Sequence, residues 1–172
     1  MNTVLDPESL DLLLRWTHFA AGIVWIGHNY ANVAQRPRWR PPARAELTDP
    51  SNPAFMARLD REHALFRYAA IVTWLAGMLL LWRRDWLLPA LAMQGSLAGI
   101  GLGVWIGTVM MLNVWFVLWP HQKKVLGFVP APAEERIRCA RVTFLSSRAN
   151  TMLSVPLLFF MASAHHGALV TG

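Results

Sequence analysis

The stretch QGSLAGIGLGVWIGTVMMLNVWFVLW, from Gln94 to Trp119, decides the fold. It contains no charged side chain and exceeds the roughly 20 apolar residues that a helix needs to cross a bilayer. The apolar character reaches back to Trp86. A single helix from Trp86 to Trp119 would be about 50 Å long at ~1.5 Å per residue, too long for a hydrocarbon core of ~30 Å. Pro89 is therefore expected in an interfacial turn or short helix. The span itself is expected to start near Gln94 and end at Trp119, before Pro120.

Outward from this stretch, three further apolar runs read as spans, at about 10–33, 65–82 and 148–166, alongside 94–119. The predicted fold class is all-α: a four-transmembrane-helix bundle, one integral membrane domain over residues 1–172. Composition agrees. The chain is 55% hydrophobic and 15% charged, against about 25% charged in soluble domains, and its mean hydropathy is +0.32. Most of the nine Trp and two Tyr sit near run ends, as interfacial anchors do. The acidic start and long first apolar run read as an uncleaved span rather than a signal peptide. Ser51-Asn52-Pro53 and Pro132 with Glu134 and Glu135 read as helix starts, so polar cytoplasmic extensions are expected before spans two and four. Pro156 is an expected kink in span four.

Basic residues set the orientation. Arg36, Arg38, Arg40, Arg44, Arg58 and Arg61 lie in one long loop, and Lys123, Lys124, Arg136, Arg138 and Arg141 in the other. The short connection between spans two and three holds only Arg83 and Arg84. The positive-inside rule then places both long loops in the cytoplasm and both termini in the periplasm of a bacterial inner (plasma) membrane. The net charge of +6 thus marks a membrane face, and no nucleic-acid partner is expected. The lone Cys139 excludes an internal disulfide and a c-type haem, which needs C-x-x-C-H.

Six histidines are the main chemical signal, because ionisable groups inside spans are rare and usually functional. They sort to two depths. His18 lies at the periplasmic level with His165 or His166, and His28 lies at the cytoplasmic level with His63 and His121. A b-type haem takes neutral imidazoles as axial ligands without covalent links. His18 with His165 (or His166), and His28 with His63, fit such pairs, for one or two haems b. His63 and His121 sit at interfaces, where an ordinary solvated imidazole is the simpler reading. His18 is buried deeper, where an unpaired polar group is costly. Asn113 either hydrogen-bonds across helices or holds a cofactor substituent. Arg15, Arg67 and Arg148 either snorkel to the interface or pair with an anionic group such as a haem propionate. Gly95, Gly99, Gly103 and Gly107 recur every fourth residue, a face for close helix packing or for a flat ring.

Several strings carry a resemblance. They are Arg15-Trp16-Thr17-His18, Trp25-Ile26-Gly27, His63-Ala64-Leu65-Phe66-Arg67, Thr73-Trp74-Leu75-Ala76-Gly77, Asn113-Val114-Trp115-Phe116, Trp119-Pro120-His121-Gln122-Lys123-Lys124, Ser147-Arg148-Ala149-Asn150-Thr151, and Pro156 to Met161 followed by His165. Together they resemble the membrane domain of the bacterial membrane-bound urate oxidase (urate hydroxylase) family, shortened and without the cytochrome c domain that commonly follows it. The resemblance singles out His18, His63, Asn113, Arg148, Asn150 and His165. A shorter likeness, on the first span, is to four-helix haem-containing protoporphyrinogen oxidases. Three functions are weighed. The first is a membrane haem b electron-transfer subunit serving a redox-partner protein or larger respiratory complex. The second is an oxidase of urate or a similar heterocycle. The third is a cofactor-free structural subunit. Whether the chain is itself an enzyme stays open among them.

Overall fold

The computed structural model describes residues 6–163, which are helical apart from turns and loops; His165 and His166 lie outside this range. Helix α1 spans Pro7–Gln35. The Asp6 side chain caps it by accepting from the Ser9 amide at 2.6 Å, with proline at the first position, where no N–H is needed. Helix α2, Pro53–Arg83, starts in the same way, with Asn52 accepting from the Phe55 amide at 3.1 Å. The expected extension before span two is therefore present. A short helix α3, Leu87–Leu91, holds Pro89. Tight turns with positive φ at Asp85 and Met93 flank it. A turn at Gly95–Leu97 leads into α4, Ala98–Leu112. A final long helix, α6, runs over Ala133–Ser163 and contains Pro156.

The third rod does not stop at Trp119. From Asn113 to Leu118 the backbone widens into a π-helical segment, and α5, Trp119–Leu126, continues it. The Trp119 amide donates to the carbonyl of Val114, five residues back. This shifted register accommodates Pro120, which lacks an N–H and in a regular α-helix would clash with the carbonyl four residues back. Gly127, with φ +84°, ends the rod.

Four long rods thus pack side by side. Helix α1 lies along α2, α2 meets α4, α4 and α5 pack on α6, and α6 returns to α1. Two of them, Pro53–Arg83 and Gly95–Leu126, are long and apolar enough to cross a membrane; α1 and α6, though comparably long, lack so apolar a window. The centre is built from small and polar residues as well as apolar ones. Ala70, Asn150 and Ser154 are fully buried beside Trp25, Met110 and Val114. Large apolar side chains face outward on every rod, among them Trp16 and Ile23 of α1, Leu75 of α2, Phe116 of the third rod and Met152 of α6. At one end Asp11 joins α1 to α2 through Arg83 at 3.0 Å and Arg84 at 2.9 Å.

The glycine face is only partly as expected. Gly103 abuts Met161, and Gly107 lies within contact of Leu157, so this half packs on α6. Gly99 and Gly95 meet nothing within 4 Å. The tightest approach falls instead on Gly101, where a Cβ would lie 2.0 Å from the carbonyl oxygen of Ala90. The periodicity of the stripe could not show this, because α3 folds back onto a different side of α4.

Candidate functional site

At the end of the bundle opposite Asp11, the rods part around a cavity of about 570 Å³. Helix α1 contributes His28, Asn29, Asn32 and Gln35, and α2 contributes His63 and Phe66. Leu118, Gln122 and Val125 line it from the third rod, and Thr143, Phe144 and Ser147 from α6. The loop from Arg36 to Pro42 forms its roof. Three prolines keep this loop out of any helix. Trp39 rests on Phe144 with ring centroids 5.4 Å apart. The Arg148 guanidinium donates to the Arg36 carbonyl. Further along, Arg136 donates to the carbonyls of Thr48 at 2.9 Å and Val125 at 2.7 Å.

Inside, the His28 ring is stacked on Phe66, 4.3 Å between centroids and 25° from parallel. The His63 Nδ1 lies 2.9 Å from the Leu59 carbonyl, which assigns the proton to Nδ1. Its Nε2 is then a lone-pair acceptor facing the Gln122 amide at 3.4 Å. Arg36, Arg38 and Arg40 line the roof, and Glu46, the only acidic residue of the lining, is paired with Arg40. The cavity therefore combines a flat aromatic wall, neutral hydrogen-bonding groups and a cationic rim, a combination suited to a planar anion.

A sequence model of the family described as "Urate oxidase N-terminal" matches residues 86–172, half of the chain. The chain belongs to the urate oxidase N-terminal family. No curated protein and no solved structure matches it. The family match covers α3 to α6, so in this member it includes Gln122, Phe144 and Ser147 of the cavity. His28, Asn29, His63 and Phe66 lie ahead of the matched stretch.

The other residues singled out from the sequence are dispersed. Asn113 and Asn150 meet between the third rod and α6. Asn113 Nδ2 donates to Asn150 Oδ1 at 2.8 Å and to the Ser146 carbonyl at 3.0 Å, and its Oδ1 accepts from Ser146 Oγ at 2.9 Å. Asn150 Nδ2 donates to the Met110 carbonyl at 3.2 Å, just ahead of the π-helical segment. Both amides are thus engaged across the helices, the first of the two readings of Asn113. Arg67 is buried, stacked at 3.4 Å on the Trp119 ring and 3.7 Å from Asp60. It does not line the cavity. Arg148 lies over Phe144 and holds the roof. Arg15 is exposed on α1.

His18 sits between α1 and α2, far from the cavity. Its Nδ1 lies 2.8 Å from the Thr73 carbonyl, and its ring fills the space beside Gly77, where a Cβ would come within 2.9 Å of Cε1. Its expected partners, His165 or His166, lie outside the described residues. His121 bonds the Val117 carbonyl in its own helix at 2.7 Å. Among the described residues, no three His, Cys, Asp or Glu side chains gather as a metal-binding group. A haem iron needs only two axial ligands. Of the expected periplasmic pair only His18 lies among the described residues, and its anchored Nδ1 leaves Nε2 as the nitrogen that could ligate.

Asn29, Asn32, Gln122 and Trp39 were not singled out by the sequence reading. The signal for Asn29 was available, since it is a carboxamide next to His28 within an apolar run. The roof role of Trp39 had none, because it depends on where a proline-rich loop folds.

Proposed function

We propose that this chain is the membrane-embedded domain of an oxidoreductase acting on urate or a similar flat, anionic heterocycle, held in the cavity between α1, α2, the third rod and α6. The observation that carries the reading is the cavity wall: the parallel His28–Phe66 stack, His63 held in one tautomer, and a rim rich in arginine. In this reading the stack offers a face for the ring, the rim attracts its charge, and a ring proton replaces the Gln122 amide, 3.4 Å away, as the partner of His63 Nε2. Oxidation releases an electron pair, which passes to a redox partner in the membrane. Membership of the urate oxidase N-terminal family supports the substrate class.

The bilayer belongs to the same proposal. A bundle with Asn, Ser and Ala at its centre and Trp, Phe, Leu and Met outside suits a hydrocarbon solvent, which rewards apolar surface and close helix contact. All four rods then span, both termini face the periplasm, and the cavity opens to the cytoplasm. Titration of the purified protein with urate, followed by tryptophan fluorescence, tests the site. Saturable quenching is expected, and no change at millimolar urate overturns the assignment. Reporter fusions at both ends test the orientation, and a cytoplasmic signal at either end refutes it.

A second reading, haem b electron transfer, draws on His18. An imidazole whose Nδ1–H is anchored on a backbone carbonyl is oriented as a metal-ligating histidine usually is, with His165 as the partner ligand and His28 with His63 as a second pair. Such haem would supply one-electron transfer. A reduced-minus-oxidised spectrum of the purified protein decides it, and absence of a b-type α band removes it.

A further inference from the structure

Asn29 differs from the other buried amides of the bundle. It is 1% exposed, yet neither Oδ1 nor Nδ2 has a hydrogen-bond partner among the described residues. Asn150, equally buried, is paired, and so is the half-buried Asn113 beside it. Buried polar groups in native proteins are nearly always satisfied, so an exception calls for a partner outside the chain. Asn29 forms part of the cavity wall, next in sequence to the His28 ring that stacks on Phe66.

We infer that Asn29 is the specificity-determining residue of this cavity and that it pairs with a ligand edge carrying a carbonyl beside an N–H. A carboxamide presents an acceptor oxygen and a donor nitrogen side by side. Its complement is a lactam, imide or amide edge in the plane of the ring, joined by two parallel hydrogen bonds. The aromatic wall then reads the face of the ligand, the arginine rim its charge and Asn29 its edge. This inference rests on the cavity being the binding site for a flat anion, as proposed above, and adds which edge such a ligand must present.

The test uses the full chain in detergent, with urate and 1,3,7-trimethylurate as probes. The methylated compound keeps the flat ring and the acidic N9 but has no carbonyl-flanked N–H left after ionisation. The wild-type protein is expected to prefer urate by about 30-fold, the scale of losing a buried hydrogen-bonded pair. Asn29→Leu is expected to bind both compounds with equal, weak affinity. Its melting temperature is expected at or above that of the wild type, because an unpaired amide has been removed. Asn29→Ala serves the same purpose should the leucine variant not fold. A folded variant that keeps the wild-type preference overturns the inference, as does a variant that melts well below the wild type, which makes Asn29 structural. If the wild type binds urate and the variant matches it, only the edge assignment fails. If the wild type binds neither compound, the cavity assignment itself fails.

Discussion

Replacing Gly101 by alanine tests the packing of the third rod where it is tightest. The added Cβ would lie 2.0 Å from the Ala90 carbonyl oxygen and 3.0 Å from its carbon. Carbon and carbonyl oxygen normally approach no closer than about 3.3 Å, so α3 or α4 must move by more than an ångström. The obstacle is backbone, so no rotamer change relieves it. The shift opens the cluster of Leu81, Ala90 and Val104, all buried. Overpacking of this kind costs about 3 kcal/mol, which in a chain of this size lowers the melting temperature by about 6–12 °C. Gly99→Ala is the control. Nothing lies within 4 Å of its Cβ position, and at the second residue of α4 alanine gains at most the roughly 1 kcal/mol of a helix interior, so its transition should hold or rise by up to about 4 °C. Thermal scans of both variants in detergent, followed by tryptophan fluorescence, provide the measurement. A wild-type transition for Gly101→Ala, or an equal fall for Gly99→Ala, would show that the four-residue glycine stripe governs packing and that the Ala90 contact does not.

Three further outcomes are expected. Asn150→Leu removes the donor to the Met110 carbonyl and one acceptor of Asn113, and should cost about 1–2 kcal/mol; an unchanged transition would make the network energetically idle. Gly77→Ala presses on the His18 ring and should cost about 1–3 kcal/mol, a loss that vanishes in a His18→Ala background; a loss that persists there points to another cause. The Lys124–Glu135 pair at 2.5 Å links α5 to α6. The hydrogen bond from Lys124 lowers the Glu135 carboxyl below 4.5, so its contribution is present above pH 4.5 and fades as pH falls through the lower folded value. Glu135 raises Lys124 above 10.5, so that contribution is present below pH 10.5 and fades as pH rises through the higher folded value. Melting curves of the wild type and Lys124→Gln should therefore separate near neutrality and converge in strong acid, and a constant gap across that range refutes the pairing.

The sequence by itself determined the helices. The starts of α2 and α6 were legible in Asn52-Pro53 and Pro132, because capping is local chemistry between neighbours, whereas α1 begins at Pro7, ahead of the apolar run. The break at Pro89 and the new start near Gln94 followed from length alone. The family likeness was equally legible, since it rests on strings of adjacent residues that the match over 86–172 includes from Asn113 onward. Only the tertiary structure decided which polar residues meet. His28 and His63 come from different helices and share a wall because α1 and α2 run side by side, whereas His18, on the same helix, is tied to Thr73 and held away from the cavity. The continuation of the third rod past Pro120 depended on a change of hydrogen-bond register that no residue type announces. The burden on Gly101 arose from α3 folding back on α4, and the isolation of Asn29 from a packing that gives its amide no hydrogen-bond partner among the described residues. Caps and spans are properties of neighbouring residues, while a site is a property of which distant residues the packing brings within hydrogen-bond reach.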